Sequence, residues 1–168
     1  KILQTAIIEK GDLKLKNDLI DIHQIIEEAI NINRMQVEIK DGVIEKDLKA
    51  TQTAVEADHD HILNVLNNLM DNANKYTPKK PEILVSTVNT LNHITISISD
   101  NGVGISKSDQ KKIFDKLYRV HTGNLHDVKG FGLGLSYVKF IVEKHGGRVT
   151  LESELNRGST FRIYLPFD

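Results

Sequence analysis

The sequence predicts an α+β fold, a two-layer sandwich whose helices cover one face of a mixed, mostly antiparallel sheet. Three observations predict it. Two alternating apolar runs, Ile83 to Val88 and Ile94 to Ser99, are separated only by Asn89 to His93, the mark of a hairpin. Two more runs, Arg148 to Glu152 and Thr160 to Leu165, close the chain around a turn at Asn156-Arg157-Gly158. The segments 21–34 and Asp58 to Lys75 each carry one apolar stripe at helical spacing. Neighbouring strands are joined by short turns rather than helical crossovers, which argues against a doubly wound parallel sheet.

The elements follow in order. Ile2, Leu3, Ala6 and Ile7 keep helical spacing until Gly11 stops it, as the end of a helix with a missing start would. Leu13 to Lys16 alternates like a strand. Asp21 caps a helix over 21–34 with Ile22, Ile25, Ile26, Ala29 and Ile30 on one face. Val37 and Ile39 alternate, Asp41-Gly42 turns, and Thr51 to Ala57 is a second alternating run. Asp58 or Asp60 caps the long helix, which Pro78 and Pro81 end. After Asp100 the chain is loop-like and polar through residue 129, apart from a helical patch at Asp109 to Leu117. A last helix runs from Leu133 to His145 and stops at Gly146-Gly147.

The 168 residues suit one domain, and 39% hydrophobic with 27% charged residues is an ordinary globular balance. A net charge of −1 offers no broad basic field, so neither nucleic acid nor an anionic membrane surface is an expected partner. With no cysteine, disulfides, thiolate metal sites and cysteine nucleophiles are excluded, which fits a reducing compartment. No apolar run approaches the ~20 residues of a membrane span. The chain opens in mid-pattern at Lys1-Ile2-Leu3, as a piece of something longer would.

Three segments carry chemistry. On the long helix Asn64, Asn68, Asn72 and Lys75 share one narrow face, opposite Ile62, Leu66, Leu69 and Ala73. One asparagine there is an ordinary solvated residue, but asparagine is a poor helix former and three in line need a reason. Amide oxygens suit a hard cation such as Mg²⁺ when a triphosphate supplies the negative charge. Lys75 can then pair with a phosphate, and Tyr76 can offer its ring to a purine. Asp100-Asn101-Gly102-Val103-Gly104 follows an apolar strand. Its carboxylate only accepts hydrogen bonds, so it suits the exocyclic amine of adenine and rejects the carbonyl of guanine. Alone, the same residues are a turn signal. Gly130, Gly132 and Gly134 alternate, and Gly134 with Leu135 opens a helix whose N–H groups can bind an anion. The pattern is neither a P-loop nor a dinucleotide fingerprint. Between the glycine loops lie about 25 residues of lid length. Phe114, Leu117 and Tyr118 are candidate anchors for them, Arg119 and Lys129 are candidates to reach phosphates, and His121 and His126 are expected as loop residues.

These motifs, in this order, resemble the catalytic ATP-binding domain of bacterial sensor histidine kinases, within the superfamily shared with DNA gyrase, Hsp90 and MutL. The match runs from Asp58 to Phe167: an N box at Asn68 to Tyr76, a G1 box at Asp100 to Gly104, an F box at Ile113 to Val120, a G2 box at Gly130 to Leu135, and a last glycine motif at Gly158 to Phe161. The resemblance implies a Bergerat-type fold over 11–168, preceded at 1–10 by the tail of a dimerisation-domain helix. It implies ATP and Mg²⁺ as cofactors. Asn72 is the implied metal ligand with Asn68 beside it, and Lys75 and Arg119 complete the implied catalytic set. Tyr76, Asp100, Gly102, Gly104, Ile105, Phe114, Tyr118, Lys129, Gly130, Gly132, Leu133, Gly134, Leu135 and Thr160 are the further implied nucleotide contacts. The implied partners are the chain's own dimerisation and phosphoacceptor domain and a response regulator receiver domain. The implied setting is a cytoplasmic domain of a homodimeric, membrane-anchored bacterial sensor, with no direct membrane contact by the domain itself.

Two departures stand out. The F box has Lys116-Leu117 where Pro-Phe is common, and none of the seven histidines sits in a phosphoacceptor pattern. An ATP-hydrolysing clamp of the gyrase or Hsp90 kind would place a glutamate at Asn68 to activate water, and an amide has no such basicity. An anti-sigma-type serine kinase and a non-catalytic nucleotide-binding module share the fold and stay as alternatives.

Overall fold

The structure is a computed structural model that describes residues 13–118 and 133–167. In chain order its elements are β1 (Asp18–Asp21), α1 (Ile22–Glu38), β2 (Val43–Leu48), β3 (Ala54–Ala57), α2 (His59–Lys75), β4 (Glu82–Asn89), β5 (His93–Asp100), α3 (Lys107–Gln110), α4 (Gly134–Lys144), β6 (Arg148–Glu154) and β7 (Gly158–Pro166). A five-stranded sheet runs β2-β4-β5-β7-β6, and β1 pairs with β3 in a separate ribbon. Only β2 and β4 run parallel; the other neighbours are antiparallel.

Alternation explains the layers. Ile83 and Val85 of β4, Ile94, Ile96 and Ile98 of β5, and Phe161, Ile163 and Leu165 of β7 are buried. They face the buried stripes of the helices: Ile22, Ile25, Ile26, Ala29 and Ile30 of α1, Val65, Leu66 and Leu69 of α2, and Val138, Ile141 and Val142 of α4. The opposite sheet face is open, and Leu84 and Val88 stay exposed there. Burial of one such face accounts for most of the stabilisation of a two-layer domain. Asp21 and Asp58 cap α1 and α2, their carboxylates accepting from His23 N and His61 N at 2.8 and 3.2 Å.

The predicted fold class holds, with corrections to single elements. Leu13 to Lys16 is not a strand; the first strand begins at Asp18. Val37 and Ile39 do not form a strand, because Val37 continues the buried stripe of α1 and Ile39 caps its end. The strand of this region is β2, whose charged Glu45, Lys46 and Asp47 hide its alternation. The connection from β2 to β4 contains a helix and closes a parallel pair, so short turns do not join every neighbour. The run over 51–57 narrows to β3 and pairs with β1, outside the main sheet. The helical patch at Asp109 to Leu117 contracts to α3 at Lys107–Gln110 followed by turns. The expected helix at Ile2 to Ile7, the 1–10 tail, and Arg119, His121, His126, Lys129, Gly130 and Gly132 lie outside the described residues.

Candidate functional site

Two segments far apart in sequence reach α2: the start of α4 lies against Asn68, and the β5–α3 loop lies two turns further on, against Tyr76 and Thr77. The polar face of α2 carries the asparagine stripe. Asn68 donates from Nδ2 to Asn64 O at 2.8 Å, which turns its Oδ1 towards α4. A Cβ built on Gly134 would sit 3.0 Å from that Oδ1, so the glycine lets α4 start directly against the stripe. Among the described residues no side chain caps the first turn of α4, which begins at Leu133. Its N–H groups are the kind that receive an anion. Lys75 pairs with Asp71 one turn away at 2.5 Å, and both are part-exposed. Asn72 is half-buried on the same face.

The C-terminal end of α2 joins the first glycine loop. Tyr76 O accepts from Val103 N at 3.0 Å. Gly102 packs so tightly that a Cβ there would lie 2.6 Å from Tyr76 O and 2.8 Å from Thr77 Oγ1. Asp100 ends β5 on the helix side of the sheet. One carboxylate oxygen, Oδ1, accepts from Gly102 N at 2.8 Å and from Ser159 N at 3.3 Å. Burial pushes the carboxyl above its ordinary value, and those two N–H groups hold it down in part. An ionised carboxylate has acceptor sites to spare beyond those two bonds.

Register separates the residues of the last glycine motif. Ser159 pairs with Asp100 and is buried, whereas Thr160 pairs with Ser99, their hydroxyls 2.9 Å apart. Thr160 therefore points to the open sheet face, away from Asp100, and does not join the convergence expected of it. Counting back in twos from buried Phe161 identifies Ser159 as the inward residue, a signal present in the sequence. Ile105, Phe114, Tyr118 and Leu135 pack against the core edge. Phe114 meets Phe161 edge-on at 6.3 Å between ring centroids, and Tyr118 OH donates to Asp109 at 2.5 Å. Gly104 has a positive φ of 68° that lets the loop press on β6.

A buried polar cluster supports α2 and α4 behind the asparagine stripe. Tyr137 is 1% exposed and shares a 2.8 Å hydrogen bond with His61 Nδ1. Burial pushes its phenol up to about 12 against the lowering effect of its hydrogen bond to Asn64. His145 Nε2 accepts from Asp58 N at 3.0 Å and its Nδ1 faces Ile141 O at 2.8 Å, and burial lowers its pKa. No sequence pattern marks this cluster, because its members are scattered from 58 to 145 and only folding unites them.

The arrangement offers a carboxylate in a tight backbone pocket at one end and neutral amides, a lysine and an uncapped helix start at the other. A base with an amine and a phosphate chain would span the two. Residues 57–168 match the family described as histidine kinase-, DNA gyrase B-, and HSP90-like ATPase. Sensor protein RprX of Bacteroides fragilis (strain YCH46) is 51% identical over 170 residues, covering 99% of this chain and 32% of RprX. The chain thus spans about a third of that relative's length. Among solved structures, full-length ShkA in complex with AMPPNP superposes with a TM-score of 0.86 at 22% identity, covering 99% of this chain and 34% of ShkA. Histidine kinase ThkA in complex with response regulator protein TrrA gives 0.80 at 21% identity, covering 99% of this chain and 47% of ThkA. At these identities the two structures establish the fold.

Proposed function

The chain belongs to the histidine kinase-, DNA gyrase B-, and HSP90-like ATPase family, and on that premise we propose that it is the ATP-binding catalytic part of a sensor histidine kinase. The observation that supports the reading is that one helix, α2, meets Gly134 at Asn68 and the Asp100 loop at Tyr76. The relatives support it: RprX is a sensor protein, ShkA was captured with an ATP analogue, and ThkA with a response regulator.

The residues fit ATP and Mg²⁺. Asp100 has acceptor capacity left for the adenine amine, and the crowding at Gly102 admits backbone but no side chain. Asn68 and Asn72 present neutral oxygens, suited to a magnesium ion that arrives with its triphosphate. The ion, when bound, neutralises charge on the phosphoryl oxygens. Lys75 exchanges its surface pair with Asp71 for a phosphate, and the open first turn of α4 receives another. Tyr76 packs on the base, and Ser159 replaces Thr160 beside it. For Arg119, Lys129, Gly130 and Gly132 the phosphate and lid roles are those that the family resemblance implies. The chain's contribution is position: it holds the γ-phosphoryl in line for an imidazole that is already nucleophilic when neutral, so no strong base is needed. An amide at Asn68 fits transfer better than activation of water.

The acceptor histidine lies on the protein's own dimerisation domain, and a response regulator then takes the phosphoryl group. The parent is a homodimeric bacterial sensor anchored in the membrane, with this part in the cytoplasm. Among the described residues no helix is long and apolar enough to cross a membrane. Incubation of the chain with labelled ATP, Mg²⁺ and the dimerisation domain tests the proposal. Acid-labile phosphate on that domain is the expected product; ATP bound or hydrolysed without transfer would contradict it.

A further inference from the structure

We propose that Gln110 is a positioning residue that ties the seat of the base-reading carboxylate to the short helix α3; the inference rests on the nucleotide reading above. Gln110 ends the short helix α3. Its Nε2 donates to Ile105 O at 2.7 Å and to Ser153 O at 2.9 Å, so both amide hydrogens are used on two separate segments. Ile105 is the residue after the first glycine loop, and Ser153 lies near the end of β6. The two are also joined directly, Ile105 N donating to Ser153 Oγ at 2.8 Å.

From Ser153 the chain of bonds continues to the base pocket. Its hydroxyl lies 2.9 Å from Gly158 O and 2.9 Å from Ser159 Oγ. Ser159 N is one of the two donors on Asp100 Oδ1. Gln110 therefore reaches Asp100 through Ser153 and Ser159 without touching it. On its other side α3 is tied to the residues that follow. Ser106 caps it, and Asp109, next to Gln110, accepts from Tyr118 OH at 2.5 Å. Ile113 is 5% exposed and seats the same segment in the core. A shift of α3 is thereby transmitted to the seat of Asp100, and nucleotide bound at Asp100 steadies α3.

A glutamine on a short surface helix is usually no more than a solvated side chain or a local brace. What separates the positioning role is selectivity. Loosening Asp100 affects a base that offers it an amine more than a base that offers it a carbonyl. A local brace alone would lower stability and weaken all nucleotides alike.

The test uses this chain with ATP and GTP as probes, measuring both dissociation constants and Tm for the wild type, Gln110→Met and Ser153→Ala. Gln110→Met keeps the length of the side chain and removes both donors; Ser153→Ala attacks the network from its other end if the first variant folds poorly. Each variant is expected to weaken ATP by about five- to tenfold, as for loss of part-buried hydrogen bonds in a network, and GTP by less than about twofold. Equal weakening of both nucleotides, or a fall in Tm with both affinities kept, would overturn the positioning role. A wild-type chain that binds neither nucleotide would overturn the proposed function as well. That outcome is distinct from an ATP-binding wild type whose variants match it.

Discussion

The two ends of the candidate site are built in different ways. The floor of the base pocket is backbone and short side chains. Asp100 is held by Gly102 N and Ser159 N, Gly102 is wedged against Tyr76 and Thr77, and Gly158 lies against Asp100. The phosphate side is a row of part-exposed side chains on α2, with Lys75 occupied by Asp71 and α4 uncapped. The first end is finished before any ligand arrives. The second has donors and a cation that can be redirected. On the proposed reading, the difference teaches that base selectivity would belong to the fold, whereas the reactive end would be assembled by what binds. Substitutions at the floor should therefore cost stability or selectivity, and substitutions on the asparagine row should cost chemistry alone.

The largest effect is expected at Gly158. Its φ is 95° and a Cβ would lie 1.9 Å from Asp100 O, so neither the backbone nor the neighbour can accept alanine. Gly158→Ala should destabilise the fold by about 3 kcal/mol or more, read by urea or thermal denaturation. A change near zero would show that the floor is not preformed. Next comes Asn72→Ala, which should reduce phosphoryl transfer roughly 100-fold or more. Because alanine is the better helix former, the same variant should hold or raise stability by up to about 0.5 kcal/mol. Loss of both together would place Asn72 in the framework instead.

Asp100→Asn sits between the two classes. The asparagine Oδ1 can still accept from Gly102 N and Ser159 N, but it adds an N–H₂ group that faces the adenine amine. ATP affinity should fall about tenfold while Tm is kept or rises. The sign follows from the pKa. Burial raises the folded value above the unfolded one, so the folded state takes up the proton first and the ionised carboxylate is a cost above that range. A clear fall in Tm would mean that the carboxylate stabilises the floor.

The smallest effect concerns the support behind the asparagine row. His145 accepts from Asp58 N, and burial holds its pKa below the ordinary 6.5. A base with a depressed folded pKa leaves the unfolded state more protonated in acid. Stability is full above about pH 6.5 and declines as pH falls through and below it. Tm at pH 5 should lie below Tm at pH 7.5, with a flatter profile in His145→Gln. An equally steep profile in that variant would assign the decline to other groups. Asp58 is not one of these, since its own pKa is lowered from 3.8 and it titrates below that range.

The sequence disclosed most where local pattern and burial agree. The hairpin β4–β5, the buried stripes of α1 and α2 and the closing strands were readable because each buries one face and repeats at its own period. It disclosed least where charge masks the pattern. β2 has only Ile44 and Leu48 turned partly inward, and Lys46 reaches back to Glu27 of α1, so no alternation is visible. Val37 misled for the opposite reason: its burial belongs to a helix, and only the packing shows it. The asparagine face and the Asp100 loop were legible from residue chemistry at fixed spacing. Ser159 was legible only by counting strand register back from Phe161, and Gln110 and Ser153 were not legible, because what joins them is hydrogen bonding between segments 40 or more residues apart.

The central claim is that α2, the Asp100 loop and the start of α4 enclose one bound nucleotide. Residue-resolved amide exchange during a titration with ATP and Mg²⁺ tests it most directly. Protection is expected at Tyr76, Gly102 and Gly134 together, rising along one binding curve with one dissociation constant. Protection confined to one of the three, or three curves with separate constants, would contradict it.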